Sequence, residues 1–228
     1  MDLGLSIAAS GMVADQVRED QLANDLSNSS TPGYKPLDDS QSAFGALLLE
    51  SQGQSVGTID TNTEITSQSP DLTQGTLEST GEPLDFAIDG TGFFAVQTSS
   101  GTRYTRDGEF SETAQGNLVD ANGNDVLDQQ GQPVKVGADG TVQSSSLGVF
   151  NVPKPAPEGN NLYSGTASGK ANGTVQSGTL EASAVDSATT MVNMLATLDT
   201  YQAGQQAIQA INQTMQESAS STGALGGS

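Results

Sequence analysis

The chain has 228 residues, of which 34% are hydrophobic and 4% aromatic, and a formal net charge of −20. That apolar content is low for one compact globule, so an elongated molecule, or one that buries apolar surface against neighbours, is expected. The seven basic residues are Arg18, Lys35, Arg103, Arg106, Lys135, Lys154 and Lys170. They are too few and too scattered to form the basic patch that phosphate neutralisation needs, which argues against nucleic acid and anionic membranes as partners.

The acidity itself is read as solubility through self-repulsion. There is no Cys and no His, so disulfides, thiolate metal sites and the commonest general base and zinc ligand are all missing. No catalytic residue, metal site or cofactor is expected. The opening Met1-Asp2-Leu3-Gly4-Leu5 has no positive region or apolar run, so a cleaved signal peptide is not expected. No stretch has the apolar length of a membrane-spanning helix.

From Leu3 to about Asn28 there is no Pro, and Leu5, Ala8, Ala9 and Met12, then Leu22 and Leu26, recur at helical spacing. The stripe is broken at Gln16 and Glu19, and Ser29-Ser30-Thr31-Pro32-Gly33 ends it. A second helix is expected from near Val185 to about Glu217, with Ser183 or Asp186 as N-cap. There Met194, Tyr201, Ile208 and Met215 fall seven apart, flanked by Met191, Leu195, Leu198 and Ile211. A sustained repeat of seven points to a coiled-coil seam. The Ser/Gly/Ala-rich stretch 218–228 is expected to fray.

Between the helices, short apolar runs such as Phe86-Ala87-Ile88, Phe93-Phe94-Ala95-Val96, Leu118-Val119 and Val126-Leu127 alternate with turns such as Asp107-Gly108 and Asn122-Gly123. This pattern predicts an all-β domain. Residues 36–80 are acidic and rich in Ser, Thr and Gln, with a short apolar patch from Phe44 to Leu49; residues 156–178 hold Pro157 and several Gly. Both are read as extended linkers. A short echo, Gly75-Thr76-Leu77-Glu78-Ser79 and Gly178-Thr179-Leu180-Glu181-Ala182, matches two similar strand ends or chance.

Two motifs suggest ligands but lack context. Gly90-Thr91-Gly92-Phe93-Phe94-Ala95 matches a dinucleotide fingerprint, but strand-forming residues follow it where a helix must start. Asp120-Ala121-Asn122-Gly123-Asn124-Asp125 is oxygen-rich, yet the sixth and twelfth positions of a Ca²⁺ loop fall on Asp125 and Gly131. A hairpin turn is the better reading.

Three motifs together resemble the bacterial flagellar axial (rod and hook) protein family. They are Ala23-Asn24-Asp25-Leu26-Ser27-Asn28 running into Thr31-Pro32-Gly33-Tyr34-Lys35; Pro83-Leu84-Asp85-Phe86-Ala87-Ile88-Asp89-Gly90-Thr91-Gly92-Phe93-Phe94 followed by Tyr104-Thr105-Arg106-Asp107-Gly108-Glu109-Phe110; and Gly178-Thr179-Leu180-Glu181-Ala182-Ser183 followed by Met191-Val192-Asn193-Met194 and Tyr201. The middle motif and the Met191–Met194 run are most similar to rod subunits, the distal one ahead of the proximal.

The resemblance implies an α+β fold. Residues 1–35 and 179–228 would form a discontinuous helical core of paired terminal helices in a coiled coil. Residues 81–155 would form the β domain, with 36–80 and 156–178 as the linking segment and return linker. It implies a self-assembling structural subunit of the basal-body rod, a helical tube that transmits torque and encloses the export channel. Its partners would be copies of itself, other rod and hook proteins, the flagellar type III export apparatus and the surrounding rings, with no membrane insertion. Export beyond the cytoplasmic membrane would proceed without a cleaved signal, a route that suits a chain with no cysteine. Assembly would use Leu5, Ala9, Met12, Leu22 and Leu26 together with Met191, Met194, Leu198, Tyr201 and Ile208. The alternative function is a soluble β-rich ligand or Ca²⁺-binding module whose terminal helices dimerise.

Overall fold

The structure, a computed structural model, describes residues 2–38 and 69–225, with side chains described over 9–37 and 69–217. It contains an N-terminal helix, a central β region and a C-terminal helix. The chain divides into two units: Met1–Leu26, Asp39–Gln68 and Ser187–Ser228 form one, and Ser27–Asp38 with Ser69–Asp186 forms the other. The patch from Phe44 to Leu49 lies outside the described residues.

In the β unit the strands are β1 (Leu37–Asp38), β2 (Ser69–Pro70), β3 (Leu77–Ser79), β4 (Phe86–Asp89), β5 (Phe93–Thr98), β6 (Gly101–Thr105), β7 (Ser111–Glu112), β8 (Leu118–Val119), β9 (Asp125–Leu127), β10 (Val149–Phe150), β11 (Ala156–Gly159), β12 (Leu162–Ser164), β13 (Thr174–Ser177) and β14 (Thr179–Glu181). The main sheet runs β11-β12-β6-β5-β9-β8-β7, with β10 also paired to β5. Its centre is β5, whose unbroken Phe-Phe-Ala-Val run is buried on both faces. Alternation sends Phe94 and Val96 to a cluster with Phe86, Phe110, Leu118 and Val126. Phe93 and Ala95 go to the other face with Tyr104, Leu127, Val152 and Tyr163. A strand with apolar residues at successive positions is stable only when covered on both sides.

Residues 156–178, expected as an extended return linker, hold β11, β12 and β13. Asn160 and Asn161 take positive φ and close the β11–β12 hairpin, the conformation that Asn tolerates best among non-glycine residues. Pro157 is accommodated because β11 is the edge of the sheet. The echo segments are strand partners: β3 and β14 pair antiparallel, with Leu180 opposite Glu78 and Glu181 opposite Leu77.

The helical unit holds α1 (Asp2–Ser27) and α2 (Ser187–Leu225). The second helix continues through most of the stretch expected to fray; residues 226–228 lie outside the described ones. At 39 residues it is about 58 Å long. Between Thr190 and Glu217 its less exposed residues are Thr190, Asn193, Met194, Thr197, Tyr201, Gly204, Ile208, Ile211 and Met215. Apart from Asn193 they alternate at spacings of four and three. One line of this face is the expected Met194, Tyr201, Ile208 and Met215. The other is Thr190, Thr197, Gly204 and Ile211, while Met191, Val192, Leu195 and Leu198 point outward at 51%, 64%, 64% and 37% exposure. At Gly204 an added Cβ would lie 2.9 Å from Met12 Cγ, so α1 and α2 touch there. Glycine inside a helix costs about 1 kcal/mol relative to alanine, a cost offset by that close approach.

Phe94→Ala is expected to lower unfolding stability by about 3–5 kcal/mol. Leu195→Ala, on the exposed face, should change it by less than about 0.5 kcal/mol. Urea unfolding of the full chain measures both.

Candidate functional site

Each of the three motifs carries one charged residue into a single buried cluster. Glu181, on β14, is fully covered, as is the side chain of Lys35 in the segment after α1. Arg106, at the end of β6, is 4% exposed. Lys35 Nζ donates to Glu181 Oε1 at 2.5 Å, and Arg106 Nη1 donates to Glu181 Oε2 at 3.0 Å. The Gly75 N–H also donates to Oε1, at 2.9 Å.

Two cations share one carboxylate, so carbonyls take up the excess donors. Lys35 Nζ donates to the Thr73 carbonyl at 2.6 Å, and Arg106 Nη2 donates to the Gly90 carbonyl at 2.8 Å. The Arg106 guanidinium also lies 5.4 Å from the centre of the Phe93 ring, which favours a cation. Burial holds the Lys35 pKa below its ordinary value, with the hydrogen bond and charge of Glu181 opposing that shift. Burial raises the Tyr163 phenol to about 12, while a hydrogen bond at the Lys35 backbone pulls it the other way. Desolvated charges cost several kcal/mol each unless paired and hydrogen-bonded; here each charged group is paired and hydrogen-bonded, with Arg106 Nε left as a buried donor without a hydrogen-bond partner.

Backbone bonds tighten the same place. The Gly33 N–H donates to the Glu181 carbonyl at 2.7 Å, and the Ala184 N–H donates to the Tyr34 carbonyl at 3.0 Å. The Ala182 N–H donates to the Thr76 carbonyl at 2.8 Å. Asn161 Nδ2 donates to the Pro32 carbonyl at 2.8 Å. Gly33 has φ +65°, and an added Cβ would lie 2.3 Å from the Arg106 carbonyl carbon, so no other residue fits. The chain leaving α1 and the chain approaching α2 are thus fastened to one point of the β unit.

The other motifs form turns. Gly90 and Gly92, with φ of 103° and 132°, shape the link into β5, which is a strand where a dinucleotide site needs a helix start. Asp120 Oδ1 accepts the N–H groups of Asn122 and Asn124, and Oδ2 accepts from Asn124 Nδ2, so its carboxylate is occupied by its own hairpin. Asp107 is different: burial, with nearby Glu109, Asp120 and Asp85, raises its pKa to about 6, against a bond from the Glu109 N–H.

The ten residues expected at an assembly surface divide. Met12, Leu22, Leu26, Met194, Tyr201 and Ile208 are half-buried, whereas Ala9, Met191 and Leu198 are exposed. The side chain of Leu5 lies outside the described ones. The residues that sequence reading passed over are Lys35, Arg106 and Glu181. Their signal was available: in a chain with seven basic residues, Lys35 and Arg106 stand in two of the three motifs, and the echo's Glu181 stands in the third.

Residues 87–144 match the family described as flagellar hook protein FlgE/F/G D1 domain, and residues 176–221 match flagellar basal body rod FlgEFG protein C-terminal. The chain is 32% identical over 188 residues to the flagellar basal-body rod protein FlgF of Caulobacter vibrioides, spanning 73% of this chain and 74% of that protein. It is 29% identical to the flagellar hook-basal body complex protein FlhO of Bacillus subtilis, over 97% of this chain and 99% of that one. It is 30% identical to a basal-body rod protein FlgG of Buchnera aphidicola, over 93% and 97%.

Glu181→Gln leaves two buried cations without a counter-charge and is expected to cost about 3–5 kcal/mol in denaturant unfolding. Its echo counterpart Glu78 is exposed, so Glu78→Gln should cost less than about 0.5 kcal/mol. For Asp107 the folded pKa of about 6 lies above the ordinary 3.8. Its contribution is therefore fully present below 3.8 and lost as pH rises through about 6. Asp107→Asn should raise the melting temperature at neutral pH, with the difference from wild type closing as the pH falls through that window.

Proposed function

This chain belongs to the flagellar basal-body rod protein family, and from that premise we propose that it is a structural subunit of the rod whose terminal helices drive polymerisation into a tube. The observation that carries the reading is the Glu181 cluster. It fastens residues 33–35 to residues 181–184, so the segments leading to both helices start from one anchored place. Five residues lie between Ser27, the last of α1, and Gly33, and two lie between Ala184 and Ser187, the first of α2. Such short tethers favour antiparallel pairing of the two helices, and the Met12–Gly204 contact fits it.

In this reading the paired helices form a coiled coil in an inner wall around an export channel, and the tube transmits torque. The domain divisions follow the same plan, with 1–35 and 179–228 as helical core and 81–155 as β domain. Assembly uses Leu5, Ala9, Met12, Leu22, Leu26, Met191, Met194, Leu198, Tyr201 and Ile208. The partners are further copies, other rod and hook proteins, the type III export apparatus and the surrounding rings. The chain reaches them by export without signal cleavage, and its role is structural rather than catalytic.

Each large apolar side chain buried at such a seam contributes about 2 kcal/mol, and repetition along a lattice multiplies it. Met194→Asp and Leu198→Asp are expected to leave the β unit folded by circular dichroism while basal bodies, viewed by electron microscopy, lack a complete rod. Normal swimming of both mutants would overturn the reading.

A further inference from the structure

Four turns of the β unit are built alike. In 113–117, 120–124, 128–132 and 137–141 the first residue's N–H donates to the fifth's carbonyl, and the fourth's N–H donates back to the first's carbonyl, all at 2.8–3.1 Å. The fourth residue is Gly116, Gly123, Gly131 or Gly140, each with φ between 73° and 81°, a conformation glycine takes without strain. The residue before that glycine is what varies: Gln115, Asn122, Gln130 and Asp139. The chain's other Asn-Gly pair is Asn172-Gly173. Both pairs follow an alanine, as Ala121-Asn122-Gly123 and Ala171-Asn172-Gly173, and both asparagines are exposed.

We infer that Asn122 is a site of spontaneous deamidation in the folded chain, and that the fold protects Asn172 from the same reaction. The Gly123 backbone nitrogen bonds to Asn122 Cγ, and its proton leaves with the side-chain amide nitrogen as ammonia. Water then opens the five-membered imide to aspartate or isoaspartate, so the chain gains one negative charge. A following glycine hinders this attack least, because it has no Cβ. At Gln115 and Gln130 the same attack would close a less favourable six-membered ring. At Asp139 the group to be displaced is an ionised carboxylate's oxygen, and that carboxylate accepts from the Thr141 N–H at 3.2 Å and from Thr141 Oγ1 at 2.8 Å. Both glycine nitrogens of the Asn-Gly pairs are hydrogen-bonded, so ring closure needs a local opening, and the two sites differ in what must open. At Gly123 the bonds run within 120–124, and an added Cβ would meet nothing within 4 Å. At Gly173 the N–H donates to the Thr91 carbonyl at 3.0 Å, and an added Cβ would collide with Ile88 Cγ2 and lie 2.6 Å from the Thr91 oxygen. Just before it, the N–H of buried Ala171 donates to the Val149 carbonyl at 3.0 Å; just after it, Thr174 pairs with Asp89. Freeing Asn172 therefore parts core strands, whereas freeing Asn122 opens one turn tip, and openings of those two kinds differ widely in free energy.

The matching tripeptides make the test internal to one molecule. The full-length chain is held in mildly alkaline buffer, with a parallel sample in urea, and digests taken over time are mapped by mass spectrometry. In the folded chain Asn122 is expected to convert at least about tenfold faster than Asn172. In urea, where neither tripeptide is held, the two rates should agree within about threefold. Equal rates at the two sites in the folded chain overturn the inference. So does an Asn122 that stays intact in the folded chain while the urea sample converts, and so does conversion at Gln115 or Gln130 as fast as at Asn122. Asn122→Asp supplies one product directly and should melt with the wild type; a marked loss of stability in that variant would contradict a turn tip that carries the change without unfolding.

Discussion

Glu181 accepts hydrogen bonds from two cations and a backbone amide with no exposure to water, and the rest of the β unit is arranged around that carboxylate. Lys35 arrives from the segment after α1, Arg106 from the end of β6, and Glu181 from the last strand before α2. A buried ion cluster is not in itself a source of net stability, because desolvation cancels much of the attraction. What it supplies is position. Strands β3 and β14 carry near-identical Gly-Thr-Leu-Glu runs, and a slip of one residue would turn Glu181 to the opposite face, away from both cations. The two cations thereby fix which of the two echoed glutamates is buried and which faces solvent.

The same logic explains why the anchoring segments are so constrained. Gly33 is fixed by the Arg106 backbone pressed against it, and its N–H and the Tyr34 carbonyl are both used to hold residues 181–184. Tyr163 and Asn161, from the hairpin that Pro and Gly content disguised as a linker, close the remaining side. In the helical unit the constraint is of another kind. Three of the nine less exposed residues of α2 between Thr190 and Glu217, namely Thr190, Thr197 and Gly204, are Thr or Gly, and over its first turns Met191, Val192, Leu195 and Leu198 face out. A helix built this way has surplus apolar surface for further contacts.

Much of this was legible in the sequence. Both terminal helices, the β region between them and the line Met194, Tyr201, Ile208 and Met215 follow from periodicity and turn signals. The companion line did not, because periodicity counts apolar residues. It therefore picked Met191 and Leu198 over Thr190, Thr197 and Gly204. The strands within 156–178 were hidden because Pro157 and Gly159 read as breakers, and only the edge position of β11 and the paired left-handed asparagines make them compatible with a sheet. The ion cluster was hidden for a simpler reason: its three members are 35 to 181 in the chain, and no local pattern links Lys35 to Glu181 across 146 residues.

The most direct measurement is deletion of the gene followed by electron microscopy of purified basal bodies. A rod subunit predicts basal bodies whose axial structure stops short at one level, with no hook beyond it, restored by the wild-type gene. Complete rods and hooks in the deletion strain would contradict the account.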